Sequence, residues 1–270
     1  MLTIPVLVWF TYGLYQSRAE FLLWFESIQT SDLLAFVLLT YVQWFIRAFR
    51  DLQLYKASAP KLKVVDLFFI NNSQGLFNNL PLKAGTILTA TTLKTKFKVS
   101  IKEFSKVFLF QNILILCSSV IIVFLEWLSI GIIHQMIALV LLVCVFLLLS
   151  RFIVISVQSS KLLYLVLLTI CTLYISGMRM YYLAAGDLEF GSSLALAAAM
   201  TLGQQIAFTP AGLGVKELFT GFTSDILKLS LALGLTLATL DRILVLLLMI
   251  INFIFLKLYT KSRGSHGYRS

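Results

Sequence analysis

Charged side chains are scarce in this chain of 270 residues, and the common catalytic motifs are absent. Asp, Glu, Lys and Arg make up 13% of it, against about 25% in a soluble domain. The two histidines, His134 and His266, have no Cys or carboxylate at metal-ligand spacing, which argues against a metal site. Motifs of serine hydrolases, zinc peptidases and P-loop ATPases do not occur. The sequence therefore predicts no enzyme, no cofactor and no ATP-driven pump.

Cysteine is also rare, and its positions exclude a disulfide framework. The three cysteines, Cys117, Cys144 and Cys171, all lie inside apolar runs. A disulfide-stapled domain or a cysteine metal site would place them in polar, loop-rich sequence. We interpret them as small hydrophobic side chains.

Apolar residues, in contrast, are abundant: 59% of the chain is hydrophobic, and its mean hydropathy is +0.93. This predicts an all-α polytopic membrane protein in which residues 1–260 form a single transmembrane domain, followed by a flexible cytoplasmic tail at 261–270. A spanning helix needs about 20 mainly apolar residues. Six such runs occur, at about 2–17, 31–50, 107–127, 130–150, 161–185 and 229–258.

Two further apolar stretches, at about 64–93 and 190–226, are each broken by a Pro-x-x-x-Gly pattern. The first contains Pro81 and Gly85, and the second Pro210 and Gly214. The arms are too short to cross a hydrocarbon core of about 30 Å, so we predict two opposed re-entrant hairpins in an inverted repeat. A pair of interrupted segments in corresponding halves points to a transport site.

The distribution of basic residues favours a topology with both termini in the cytoplasm. With six spans and two hairpins that return to their own side, only Arg18 and Lys228 lie outside. Sixteen of the 22 basic residues lie inside: Arg47, Arg50, Lys56, Lys61, Lys63, Lys94, Lys96, Lys98, Lys102, Lys106, Arg151, Lys161, Lys257, Lys261, Arg263 and Arg269. This positive-inside bias predicts a multi-pass membrane protein whose basic loops face the cytoplasm. The net charge of +10 is then loop charge facing anionic lipid, not a nucleic-acid surface.

The second break is the stronger candidate for a binding site. Thr209 and Pro210 have the residue types of a helix N-cap and first turn. Gly212 and Gly214 allow a ligand to approach the backbone closely. A half-helix that starts at membrane depth presents free N–H groups to a phosphate or carboxylate, and Lys216 would add a cation.

The first break has a similar composition, with Lys83 between Pro81 and Gly85. It is predicted to contact the same headgroup from the opposite side. The alternative is that both breaks are kinks that pack helices closely, while the lysines extend to an interface.

Charged residues at membrane depth complete the candidate site. Lys216 and Glu217 follow the second break, and Asp241 and Arg242 lie near the middle of the last span. Such charges are expected to pair or to face a cavity, and we predict the pairs Glu217–Arg242 and Lys216–Asp241. They would either line a polar path or form a closed cluster that docks the last helix. Arg179 is predicted to extend to the interface instead.

The segment Thr209-Pro-Ala-Gly-Leu-Gly-Val-Lys-Glu217 resembles a signature of the lysylphosphatidylglycerol synthase/flippase transmembrane region, which reads roughly Thr-Pro-Gly-Gly-Leu-Gly-Val-Arg-Glu. The resemblance extends over about Leu33 to Leu258, and Arg242, Arg47 and Arg50 match basic positions of that family. It implies a lipid flippase domain that stands alone, without the aminoacyl transferase domain found in some relatives.

The first signature of that family is met in part. Leu80, Pro81 and Gly85 match it, but Thr86 and Thr89 stand where an acid and an arginine are expected. A Glu-Arg pair of the next helix is replaced by Gln111-Asn112. One half of the implied site has therefore lost its charges.

Together these features predict a flippase-like protein that moves an anionic lipid or a lipid-linked saccharide between leaflets, passively or coupled to an ion. A synthetase or glycosyltransferase is a possible partner. Two alternatives remain open: a non-transporting membrane subunit of a lipid- or glycan-modifying system, and a membrane transferase acting on a prenyl-linked substrate.

Overall fold

A computed structural model describes residues 26–79, 83–128, 159–206 and 214–266 of the chain. The regular structure in these ranges is entirely helical and comprises eight helices of 12 to 36 residues. In chain order they are α1 (Thr30–Tyr55), α2 (Val64–Phe77), α3 (Ala84–Phe97), α4 (Ile101–Trp127), α5 (Ser159–Leu183), α6 (Phe190–Ile206), α7 (Val215–Ile226) and α8 (Leu231–His266).

Four of these helices, α1, α4, α5 and α8, are long and apolar enough to cross a membrane. They coincide with the predicted runs at 31–50, 107–127, 161–185 and 229–258, so a helical membrane protein is the class that the described residues support. Large apolar side chains such as Leu34 and Phe255 are exposed on them, as expected of surfaces that face lipid. The predicted spans at 2–17 and 130–150 lie outside the described residues.

The remaining helices form two antiparallel pairs at the two broken segments. The first helix pair is α2 with α3, and the second helix pair is α6 with α7. These helices have 14, 14, 17 and 12 residues, which corresponds to about 18–26 Å at 1.5 Å per residue, less than the hydrocarbon core. The breaks themselves, including Pro81, Thr209, Pro210 and Gly212, lie outside the described residues.

Gly85 allows the helices of the first pair to pack with their backbones in contact. A Cβ at this position would overlap the carbonyl oxygen of Gln74 and lie 2.8 Å from the backbone nitrogen of Asn78. The Asn78 side chain also accepts a hydrogen bond from the Thr86 N–H at 3.0 Å, which satisfies one of the free donors at the start of α3. Thr86 therefore takes part in helix capping at the position where the resembling family has an acid.

Helix α6 lies at the centre of the described fold, in contact with α4, α5 and α7. Its segment 195–199 is composed of Ala and Leu and is almost completely buried. Small side chains let neighbouring helices approach closely in membrane proteins. On the α7 side, a Cβ on Gly203 would lie only 2.9 Å from the Cα of Lys216. This packing brings α7 against α6 and directs its first turn toward α5 and α8.

The contact at Gly85 leads to a stability prediction. Gly85→Ala should lower the thermal midpoint of the purified protein by several degrees, because overpacking of a tight contact costs about 1–3 kcal/mol. Gly221→Ala is the matched control, since its Cβ would meet the Leu231 side chain at an ordinary 3.6 Å and alanine favours the helix. Equal midpoints for the two variants would contradict the close approach of α2 and α3.

A candidate polar site inside the helix bundle

Asp241, near the middle of α8, is the centre of a buried charge cluster. It forms a salt bridge with Arg179 of α5, and its Oδ2 atom lies 3.8 Å from Lys216 Nζ of α7. One residue further along α8, Arg242 Nη1 lies 2.8 Å from Glu217 Oε1. Both predicted pairs, Lys216–Asp241 and Glu217–Arg242, are present. The cluster joins α5, α7 and α8 through charges that would be costly to bury alone.

Arg179 does not extend to the membrane interface, so that prediction is wrong. Its side chain is buried, and its guanidinium bonds to both Asp241 and Gln43 Oε1. The guanidinium carbon also lies 4.8 Å from the centre of the Phe36 ring, within the range of a cation–π interaction. The guanidinium is paired with the Asp241 carboxylate inside the bundle, so its charge is compensated without contact with water.

Glu217 has a second role at the start of α7. Its Oε2 atom accepts a hydrogen bond from the backbone N–H of Gly214 at 2.9 Å. Gly214 has a φ of +78°, a conformation that side chains with a Cβ rarely adopt. The helix start is thus stabilised by its own carboxylate. Since this acid occupies one of the N–H groups, an anionic ligand would depend more on side-chain cations than on the bare helix end.

A cavity of about 150 Å³, here called the central cavity, lies beside the charge cluster. Residues from α1, α4, α5, α6, α7 and α8 line it. Its charged lining residues are Arg47, Arg50, Arg179, Lys216 and Asp241, and its neutral polar ones are Gln43, Thr172, Ser176, Thr201, Gln204 and Gln205. The other two predicted site residues, Glu217 and Arg242, are not among its lining residues. The cavity therefore combines several cations with neutral groups that can donate hydrogen bonds.

A second polar centre on α1 was not predicted from the sequence. Asp51 is buried; its Oδ2 atom accepts a hydrogen bond from Asn71 at 2.8 Å. Its Oδ1 atom accepts from Gln111 and from Arg50. Asn71 and Gln111 therefore serve as neutral donors to a carboxylate on the side of the bundle where the family signature would have placed charges.

A periodic signal for this centre was present in the sequence. Gln43, Arg47 and Arg50 follow an i, i+4, i+7 spacing, which places them on one face of an otherwise apolar helix. Arg47 and Arg50 count as cytoplasmic charges in the predicted topology. In the structure both line the central cavity, and the Arg50 side chain is buried. Without these two arginines the predicted topology still has fourteen basic residues inside and two outside, so the predicted positive-inside bias does not depend on them.

Arg47 connects the central cavity to a smaller one. The small cavity, of about 40 Å³, is lined by α1, α2, α3 and α4 and shares Arg47 and Ile115 with the central cavity. Its polar lining includes the carboxylate of Asp51, which Arg50, Asn71 and Gln111 engage, and the neutral side chains of Asn71, Gln74, Thr89, Gln111 and Asn112. No salt bridge from any described residue reaches Arg47. Its side chain is exposed and lines both polar cavities, so an anion in either cavity can contact it.

The remaining site candidates lie apart from this centre. Lys83 is exposed at the start of α3, where its backbone is left-handed with a φ of +50°. Gly85 is buried in the contact between α2 and α3. Pro81, Thr209, Pro210 and Gly212 lie outside the described residues. The structure therefore brings together Gly214, Lys216, Glu217, Asp241 and Arg242, and it separates Lys83 and Gly85 from them.

No protein-family model, curated protein or solved structure matches this chain. The family resemblance of the short motif therefore stays a prediction, and the site rests on its own geometry.

The Glu217–Arg242 pair leads to a prediction for folding. Glu217→Gln should lower folded yield and thermal stability, because removal of one partner of a buried pair leaves the other charge uncompensated at a cost of about 3–5 kcal/mol. Glu217→Gln combined with Arg242→Gln should recover part of that loss. Thermal unfolding in one detergent is measured for the wild type, the single variants Glu217→Gln and Arg242→Gln, and the double variant. Glu189→Gln, at an exposed carboxylate, is the control. Strict additivity would show that the two residues do not act as a pair.

Proposed function

We propose that this chain moves an anionic lipid between the leaflets of a prokaryotic inner membrane. The observation that carries the proposal is the charge imbalance of the central cavity. Four cations line it, namely Arg47, Arg50, Arg179 and Lys216. The carboxylates paired with them are Asp51 and Asp241, so cations exceed acids by two. In a low-dielectric interior this excess attracts an anion strongly.

A phosphate headgroup can enter such a site by exchanging partners. The Lys216–Asp241 contact, at 3.8 Å, is longer than the Glu217–Arg242 contact at 2.8 Å. A phosphate oxygen near Lys216 and Arg47 would therefore compete with Asp241 while the second pair keeps α7 docked to α8. Arginine suits this task because its planar guanidinium binds phosphate through two hydrogen bonds.

The volume of the central cavity favours a small headgroup. A volume of about 150 Å³ is similar to that of an engineered cavity of ~150 Å³ that holds one benzene molecule. A phosphate with part of its hydration fits this space, while a saccharide of several units exceeds it. Between the two predicted substrate classes, the cavity supports an anionic phospholipid over a lipid-linked saccharide, with the acyl chains outside in the bilayer.

The proposed route includes two re-entrant helix pairs. Their helices are shorter than the bilayer core, so a single one of these helices cannot cross it. Under this topology residues 61 and 98, which flank the first helix pair, lie on the same, cytoplasmic side. Both termini are cytoplasmic as well.

Labelling of single cysteines tests this topology. In a background that lacks Cys117, Cys144 and Cys171, cysteines at positions 61 and 98 should both react with an impermeant maleimide only after the membrane is opened, whereas cysteines at 187 and 225 should react in intact spheroplasts. Opposite accessibility of positions 61 and 98 would show that the first helix pair crosses the membrane.

Lipid exchange in proteoliposomes tests the activity. Fluorescent phosphatidylglycerol should exchange between leaflets faster than in empty liposomes, and faster than phosphatidylcholine with the same chains. Arg47→Gln and Lys216→Gln should each slow exchange about tenfold or more, because a hydrogen bond to a charged group contributes about 1.5–3 kcal/mol. Arg47→Lys, which keeps the charge, should recover part of the rate.

Lys61→Gln, at an exposed loop position, removes the same charge and should leave exchange unchanged. Exchange no faster than in empty liposomes, for phosphatidylglycerol and for a prenyl-phosphate saccharide alike, would contradict transport by the isolated chain. The role of a non-transporting subunit would then take its place.

A further inference from the structure

A large groove runs along the first helix pair. It has a volume of about 600 Å³ and lies between α2, α3 and Leu256 of α8. Because α2 begins where α3 ends, Lys63 and Lys96 lie together at one end of the groove. Ser73 and Thr89 line it further along the two helices. The groove therefore has a basic end and a hydroxyl-lined end.

One side of the groove is apolar and the other carries hydroxyl groups, which suits an amphiphilic ligand. Val65, Ile70 and Leu88 give it an apolar surface, while Thr92 continues the hydroxyl-bearing side between the lysines and Thr89. Asp66 also lies at the basic end, but its Oδ2 atom accepts a hydrogen bond from the Lys63 backbone N–H at 3.0 Å. The basic end therefore carries two positive charges and one negative charge, and the negative one is already hydrogen-bonded to the backbone. Chains can lie on the apolar surface while a phosphate meets the lysines.

The groove adjoins the polar interior. Thr89 is buried and lines both the groove and the small cavity. The small cavity in turn shares Arg47 and Ile115 with the central cavity. A row of polar side chains therefore leads from the lysine end of the groove past Thr89 to Arg47 and the charge cluster.

We propose that this groove is the loading site for an anionic phospholipid of the leaflet that faces the lysines. The phosphate lies between Lys63 and Lys96, the chains lie on the apolar surface, and the headgroup passes Thr89 to reach the central cavity. Lys96 and Thr89 are separated along α3 by roughly 10 Å of helix rise, so the headgroup moves by that distance as it leaves the lysines. The loading role rests on the proposed function, whereas binding in the groove can be measured without transport.

Binding is tested by native mass spectrometry of the purified chain titrated with phosphatidylglycerol, and with phosphatidylcholine of the same chains. Phosphatidylglycerol should bind more tightly. The double variant Lys63→Gln with Lys96→Gln should weaken its binding about 25-fold, since each basic residue near an anionic headgroup contributes about a factor of five. Glycerol phosphate in excess should not displace the lipid, because it lacks chains for the apolar surface.

The matched control is Lys61→Gln with Lys94→Gln. Both lysines are exposed near the same helix ends but do not line the groove, so this variant loses the same charge and should bind phosphatidylglycerol within about threefold of the wild type. Equal weakening by both double variants would overturn the proposal, because it would show a diffuse basic surface. Displacement by glycerol phosphate would overturn it as well, since the site would then be one for free phosphate.

Thr89→Val separates loading from transport. Valine keeps the shape of threonine but removes the hydroxyl between the groove and the small cavity. Because Thr89 also lines the groove, both quantities are measured on the same variant, and we expect exchange in proteoliposomes to fall by a larger factor than phosphatidylglycerol binding. Wild-type exchange in this variant would overturn the loading role. Absence of exchange in the wild type itself would contradict the proposed function, while the binding measurements would still decide whether the groove holds a lipid.

Discussion

The need to match every buried charge determines how this bundle is assembled. Asp241 lies near the middle of an apolar helix, where an isolated carboxylate would be very costly. Arg179 and Lys216 meet it from two other helices, and Glu217 with Arg242 adds a second pair one residue away. These contacts hold the short helix α7 against α8 and join α5 to α8 at the same carboxylate. The central cavity lies beside these contacts and is lined by several of their cations. In a low-dielectric interior these cations attract an anion strongly.

Buried charged groups have different kinds of partner on the two sides of the bundle. On the α7 side, full charges pair with one another across helices. On the α2–α3 side, Asp51 receives amide hydrogen bonds from Asn71 and Gln111. Arg47 lies between the two sides and lines both cavities. An anion moving through the bundle would therefore pass the small cavity, where Arg50, Asn71 and Gln111 engage the Asp51 carboxylate, before it meets the cations of the central cavity. Arg47 would contact it in both cavities.

Sequence patterns were sufficient for the features that depend on local rules. The four described spans follow from apolar runs of sufficient length, and the two helix pairs follow from breaks at Pro-x-x-x-Gly. The pairs Glu217–Arg242 and Lys216–Asp241 could be predicted because few charges lie at membrane depth, and each needs a partner of opposite sign. Arg179 was misassigned for the complementary reason. Its position near a helix end agrees with snorkelling, and nothing local reveals that α5 brings it to Asp241.

The sequence by itself therefore determined the helical membrane class, the positions of the breaks and the identities of the charges that must be matched. The tertiary structure alone decided which polar residues share a space. Asp51 is joined to residues of α2 and α4, and the two cavities that Arg47 lines are together bounded by all seven of the other described helices. Helical periodicity determines which residues share a face of one helix, but the face that a neighbouring helix presents depends on close packing through residues such as Gly85 and Gly203. That packing is a property of the whole fold.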